Sequence, residues 1–186
     1  MNSVSKTREE KKEVLHRNYK KNMDRFKRAL GDNYQIEALL IIFAVFEQTT
    51  NNLIVRISSL SEKNHLDILD AVQNNELNNI SKKIRWIQHY IRDNIEEILS
   101  ILKESGKVEE LKSSLKDLNK YRTCRNVIVH DLMLSDVSYE GLKDINIKCL
   151  DIFRVLDKTN KAIKRFINAN GIDLDVSDVS LALDKK

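Results

Sequence analysis

The sequence predicts an all-α fold: an antiparallel bundle of four main long helices, with an N-terminal helical arm and a short extended C-terminal tail. The 186 residues contain no proline and only four glycines, so few positions interrupt a helix. Apolar residues recur every three or four positions over several long segments, which is the spacing of an α-helix with one buried face. This length suits one domain with short appendages.

The first segment is the predicted basic N-terminal helical arm, residues 1–32. Its thin apolar stripe has helical spacing on a charged background: Leu15, Tyr19, Met23, Phe26 and Leu30. Residues 1–30 carry ten Lys and Arg against four Asp and Glu, a net charge of +6, whereas the whole chain carries +4. An arm of this kind either attracts RNA phosphates or an acidic partner, or is a solvated helix face.

Residues 33–170 are predicted to form the helical bundle. A helix over about 34–58 has apolar residues around most of its surface and is expected to be central. Residues 58–80 are expected to be a loop that holds one short helix. A continuous long helix is then predicted over residues 80–102, where isoleucines recur at helical spacing.

The next long helix is predicted to begin near Val108 and to carry a polar motif at its end. The last long helix is predicted to end at Gly171, because glycine readily takes the left-handed conformation that terminates helices. Beyond it apolar and polar residues alternate, a period typical of a strand. We interpret residues 171–186 as a tail that is either extended against a neighbour or disordered.

Composition argues against a membrane or secreted protein. The longest apolar run, residues 38–46, is about half of the roughly 18–20 residues needed to cross a bilayer. The charged N-terminus has no apolar segment behind it, unlike a secretory signal. Cys124 and Cys149 are too few for a disulfide framework or a zinc quartet, so we expect reduced thiols in a cytoplasmic protein. His16, His65 and His89 have no Cys, Asp or Glu residues at a spacing that suits a metal site, and we expect no metal or other cofactor.

Three polar residues follow one edge of the helix that begins near Val108. On a helical wheel Arg125 falls about 20° from Leu118, inside the apolar stripe, and Asn126 and His130 lie at about 80° and 120° on the other side of Leu118. A guanidinium in an apolar stripe is costly unless it meets a carboxylate or faces a cleft. The sequence therefore predicts either a salt bridge or a site at this helix end.

Two further residues are candidates to support that site. Glu47 follows Phe46 on the central apolar helix and is the candidate carboxylate for Arg122 or Arg125. Arg122 shares the face of Arg125, so it would either contact RNA or form a salt bridge with Glu47. We favour the salt bridge.

The residues Arg125-Asn126-Val127-Ile128-Val129-His130 resemble the R-x4-H signature of the HEPN superfamily. The preceding Tyr121 and Arg122 are similar to that signature too. The motif match covers about six residues, and a looser likeness in helix order extends over residues 34–168. R-x4-H alone is a weak pattern, but its place at the end of a long amphipathic helix makes it more specific.

The resemblance implies a metal-independent endoribonuclease acting on RNA as a homodimer, with two motifs facing each other across a two-fold axis. His130 would exchange protons with the 2′-hydroxyl and the leaving oxygen, and Arg125 would hold the scissile phosphate. Asn126 would orient His130 or the phosphate by hydrogen bonding. The products would be a 2′,3′-cyclic phosphate and a 5′-hydroxyl. Many such proteins are toxins or anti-phage (abortive infection) effectors, restrained by an antitoxin protein or by covalent modification, for which Tyr121 is the nearby acceptor.

Two other functions remain open on sequence grounds. A non-catalytic HEPN-like module would bind RNA or a protein without cleaving. A plain helical scaffold would use its basic arm to bind an acidic partner. In both, Arg125 would be a salt-bridged structural residue and His130 a cation at a helix C-terminus, where positive charge is favourable.

Overall fold

A computed structural model describes the backbone of residues 8–130 and 139–184, and the side chains of residues 20–128, 140–180 and 182–183. Over these ranges the chain forms eight helices and no strand, which confirms the all-α prediction. The helices are α1 (Arg8–Gly31), α2 (Gln35–Ser58), α3 (Glu62–Gln73), α4 (Ile80–Asp93), α5 (Ile95–Leu102), α6 (Ser105–His130), α7 (Tyr139–Ala169) and α8 (Ser177–Asp184).

Helix α2 is the centre of the fold. It packs against α1, α3, α4, α6, α7 and α8, and side chains such as Leu39, Ile42 and Phe46 are fully buried. Among the described residues it is also the one helix that is long and apolar enough to cross a membrane by length and composition. Core helices pass the same test, and the helices packed around α2 account for its apolar surface.

Two buried asparagines of α7 fix its direction relative to α2. Asn146 donates from Nδ2 to the main-chain carbonyl of Gln35 at 2.9 Å, and Asn160 donates to that of Thr49 at 3.2 Å. In both pairs the two residues are 111 positions apart in sequence. A later donor on α7 therefore meets a later acceptor on α2, which means that the two helices run parallel. The antiparallel arrangement expected from the sequence therefore does not hold for this central pair.

The helix predicted over residues 80–102 is divided at Asn94. Its φ of −124° and ψ of 41° lie outside helical values, and its side-chain Nδ2 donates to the Tyr90 carbonyl at 3.0 Å. An asparagine side chain that bonds the backbone competes with the helical hydrogen bonds at that point. The apolar spacing continues across the break, which is why the sequence pattern did not reveal it.

The C-terminal tail differs from the prediction of an extended segment. Residues 177–184 form α8, which packs against α2 and α3 and buries Val179 and Leu183. These two residues are one helical turn apart, so a short helix buries both on one face. The strand-like alternation before them misled the prediction.

The ends of α1 and α7 show how the connections are made. Gly31 belongs to α1, and the left-handed residue of the turn is Asn33, with a φ of 66°. At the end of α7 the prediction is confirmed, because Gly171 has a φ of 61° two residues after the last helical position.

Candidate functional site

Arg125 lies within the buried face of α6, as the helical wheel predicted. Tyr121, one turn before it, is 8% exposed, and Ile128, one turn after it, is 4% exposed. Arg125 itself is partly buried. Its Nε is enclosed and has no hydrogen-bond partner within the described residues. An enclosed donor without a partner lowers stability, so within the described residues this nitrogen contributes no stabilising hydrogen bond.

The side chains of Arg125 and Asn126 are joined. Arg125 Nη1 donates to Asn126 Oδ1 at 3.1 Å, and both residues are partly buried. Within the described part of the chain, no carboxylate lies within 4.0 Å of the Arg125 guanidinium. Among these described residues the cluster therefore has a positive charge and N–H donors without a neutralising acid, an arrangement suited to a phosphate or carboxylate ligand.

His130 is the last residue of α6. It follows Asn126 by four positions, and such a pair shares one side of a helix. The His130 side chain lies outside the described residues. The structure therefore brings two of the three predicted catalytic side chains together and gives the third a helical backbone position one turn further on.

Glu47 and Arg122 do not form the predicted ion pair. Glu47 Oε1 lies 3.5 Å from Lys83 Nζ, whereas Arg122 Nε donates to Asn119 Oδ1 at 3.4 Å. Helix α4, which carries Lys83, packs against α2 beside Glu47, and it contacts α2 more extensively than α6 does. Neither Arg122 nor Arg125 receives the carboxylate that the sequence analysis assigned to it.

Lys83 is a residue that sequence reasoning missed. Its side chain is only 4% exposed, although its partner Glu47 is 57% exposed. A signal was present, because Lys83 stands in the helical stripe that runs through Ile80, Ile84 and Ile87. It is the same signal, a cation inside an apolar stripe, that pointed to Arg125.

Tyr121 lines a groove between α6 and α7. The groove has a volume of about 740 Å³, and its lining includes Lys120, Tyr121, Asp151 and Arg154 but neither Arg125 nor Asn126. Lys120 Nζ lies 5.9 Å from the centre of the Tyr121 ring. A group attached covalently to Tyr121 would therefore lie in this groove.

The two cysteines lie on α6 and α7. Cys149 is fully buried, and burial, followed by the nearby Cys124 thiol, raises the pKa of its thiol to about 12. Cys124 is partly exposed, and both are free thiols. The described residues contain no group of three or more His, Cys, Asp or Glu side chains that could hold a metal ion.

The fold and the site together define an all-α protein with a partly buried Arg-Asn cluster near the end of one long helix, and within the described residues no carboxylate neutralises that cluster. Comparisons with protein-family models, with curated proteins and with solved structures found no match.

Proposed function

We propose that this protein is a metal-independent endoribonuclease of the HEPN type. The observation that carries the proposal is Arg125: it lies in a buried stripe, bonds Asn126, and has an enclosed Nε and no carboxylate partner among the described residues. A purely structural arginine in such a place is expected to be paired with an acid. An arginine that binds a phosphate must instead keep its donors for the ligand.

The chemistry uses groups that RNA and the motif supply. The 2′-oxygen attacks the phosphorus, the bond from phosphorus to the 5′-oxygen breaks, and a 2′,3′-cyclic phosphate and a 5′-hydroxyl result. His130 takes the 2′-proton or protonates the leaving oxygen, since imidazole titrates near neutral pH. Arg125 stabilises the charge that develops on the phosphate oxygens, and Asn126 holds the guanidinium in place.

The active unit is a homodimer with a composite site. Val127, next to Asn126 on α6, is 49% exposed, an apolar side chain suited to a contact between subunits. Mixing inactive Arg125→Ala and His130→Ala chains tests this. Mixed dimers regain part of the activity if each site draws on both subunits, and recover nothing if each subunit acts alone.

The biological role we propose is that of a toxin or anti-phage effector. An enzyme that cuts cellular RNA must be restrained, by an antitoxin protein or by modification of Tyr121. Overexpression of the wild-type chain alone should therefore arrest growth, and His130→Ala should not. Harmless expression of a chain that cleaves RNA after purification would contradict this role and leave the enzyme activity standing.

The deciding experiment is cleavage of end-labelled RNA in EDTA by the wild type and by His130→Ala. The matched control is His89→Ala, since His89 is an exposed histidine on α4. We expect the wild type and the control to cut and to leave a cyclic phosphate, and His130→Ala to be inactive. Equal cleavage by all three proteins, or none by the wild type, would refute the proposal and favour a binding module.

A further inference from the structure

Helix α1 carries a dense set of cations on one side. Within residues 20–31 the exposed basic residues are Lys20, Lys21, Arg25, Lys27 and Arg28. We call this set the α1 basic face. The same stretch contains one acidic residue, Asp24, which lies within the run of cations, and Asp32 follows directly after the stretch.

Packing fixes the direction in which this face points. Met23, Phe26 and Ala29 of α1 are buried in the core against α2. The turn that follows is also tied down, because the Tyr34 amide donates to the Ala29 carbonyl at 2.8 Å. At about 100° per residue the five cations fall within an arc of about 160° opposite these buried residues. The second half of the predicted arm is thus a fixed element of the fold that presents its charge outward.

The charges of the α1 basic face are largely unneutralised. Arg25 lies 3.4 Å from Glu37 Oε1, but both side chains are about half exposed, at 48% and 53%, so water screens that pair. Within the described residues no carboxylate lies within 4.0 Å of the other four cations. Clustered like charges cost stability through repulsion, and a polyanion bound across them removes that cost.

We propose that the α1 basic face binds the phosphodiester backbone of RNA and so holds the substrate on the protein. The face has the charge, and with about 12 Å between Lys20 and Arg28 along the helix axis it has the length, to contact several consecutive phosphates. Residues 20–31 contain no exposed aromatic side chain for stacking on bases, so binding to this face is expected to be independent of base sequence. The choice of RNA among polyanions rests on the proposed ribonuclease function.

The test measures binding separately from cleavage. Fluorescence anisotropy with a labelled single-stranded RNA is carried out on His130→Ala protein, with and without the added changes Lys20→Gln, Lys27→Gln and Arg28→Gln. The control variant carries Lys63→Gln, Lys103→Gln and Lys116→Gln, three exposed lysines elsewhere, and has the same net charge. Circular dichroism and thermal melting establish that each variant is folded.

We expect the α1 variant to lose about tenfold or more in affinity at low salt, and its slope of log affinity against log salt to shrink by about 2, since each neutralised phosphate of a single strand contributes about 0.7. The control should bind like the parent. Asp24→Asn should tighten binding, because it removes the acid within the α1 basic face. Equal losses in both triple variants, unchanged binding in the α1 variant, or no binding by the parent would each overturn the proposal.

Cleavage of a dinucleotide separates this proposal from the enzyme proposal. A dinucleotide contains the scissile phosphate and no other. A protein that keeps His130 and carries the three α1 substitutions should therefore cleave a dinucleotide at the wild-type rate, while it cleaves long RNA more slowly. If the wild type binds long RNA through α1 but cleaves neither substrate, the ribonuclease proposal fails and the binding surface stands. If the α1 variant loses binding to anionic vesicles or to an acidic peptide but not to RNA, the surface has a different partner and the proposal is wrong.

Discussion

Arg125 and Asn126 are consecutive residues of α6 whose side chains are joined by a 3.1 Å hydrogen bond from Nη1 to Oδ1. Consecutive residues of a helix point about 100° apart, so this contact needs the guanidinium to bend across the helix surface. Under the proposed function, Asn126 is therefore a positioning residue for Arg125. The bond holds the guanidinium at one angle while its Nε stays enclosed.

Replacing Asn126 by alanine should lower kcat/KM for RNA by about fivefold, the equivalent of one net hydrogen bond of about 1 kcal/mol. Asn119→Ala is the matched control, since Asn119 accepts from Arg122 on the same helix. We expect the control to cleave normally. Initial rates over a range of RNA concentrations provide the measurement, and a loss as large in Asn119→Ala would show that the effect is not specific to the Arg125 contact.

Replacing Arg125 by methionine should separate activity from stability. Methionine fills similar space and removes an enclosed donor whose desolvation costs about 1–3 kcal/mol, so the free energy of unfolding should stay the same or rise. Cleavage should fall by about a hundredfold or more, because the phosphate loses its charged donor. Urea denaturation and RNA cleavage are measured together, with Arg85→Met on the exposed side of α4 as the control. A marked loss of stability in Arg125→Met would mean that the arginine is structural.

Cys149 should make stability fall at alkaline pH. Burial raises the pKa of its thiol to about 12, whereas an unfolded cysteine ionises near about 8.5. Below about pH 8.5 both states hold the proton and the stability is complete. As the pH rises from there towards 12, only the unfolded state loses the proton, so stability falls by about 1.4 kcal/mol per pH unit. Urea unfolding at pH 7, 8.5 and 10 should show this fall in the wild type and in Cys124→Ala, and a flatter profile in Cys149→Ala. Parallel profiles would contradict it.

In the ion pair of Lys83 with Glu47, replacing Lys83 should lower the free energy of unfolding much more than replacing Glu47. Glu47 is more than half exposed and the atoms are 3.5 Å apart, so Glu47→Gln should change the free energy of unfolding by less than about 1 kcal/mol. Lys83→Ala should cost about 2 kcal/mol or more, because its buried stem packs against apolar neighbours. Both variants should cleave RNA normally. A loss of cleavage in Glu47→Gln that matches Arg125→Met would restore Glu47 as part of the site.

Helical period was enough to predict where Arg125 would lie. Its position relative to Leu118 follows from 3.6 residues per turn, and the structure places it between the buried Tyr121 and Ile128 as expected. The same local rule gave the helical content and the end of α7 at Gly171. Each of these depends on the residue itself and on neighbours a few positions away.

Helical period did not predict which side chains on different helices contact each other. The sequence suggested Glu47 for Arg122 or Arg125, but α4 packs against α2 more extensively than α6 does and supplies Lys83 as the partner of Glu47. The apolar spacing likewise continues through Asn94, where a side-chain bond to Tyr90 divides the helix. Apolar periodicity reports which face is buried and is silent on which helix covers it.

The sequence by itself determined an all-α chain, a cation set into the apolar stripe of one helix, and a basic N-terminal segment. Tertiary structure decided that α2 and α7 run parallel through Asn146 and Asn160, that α8 folds onto α2 and α3, and that Arg125 has Asn126 and no carboxylate beside it in the part of the chain that the structure describes. The reason is the distance along the sequence over which each interaction acts. Backbone geometry acts within a turn or two of helix, whereas the neighbours of a buried polar group are chosen by packing between elements far apart in sequence.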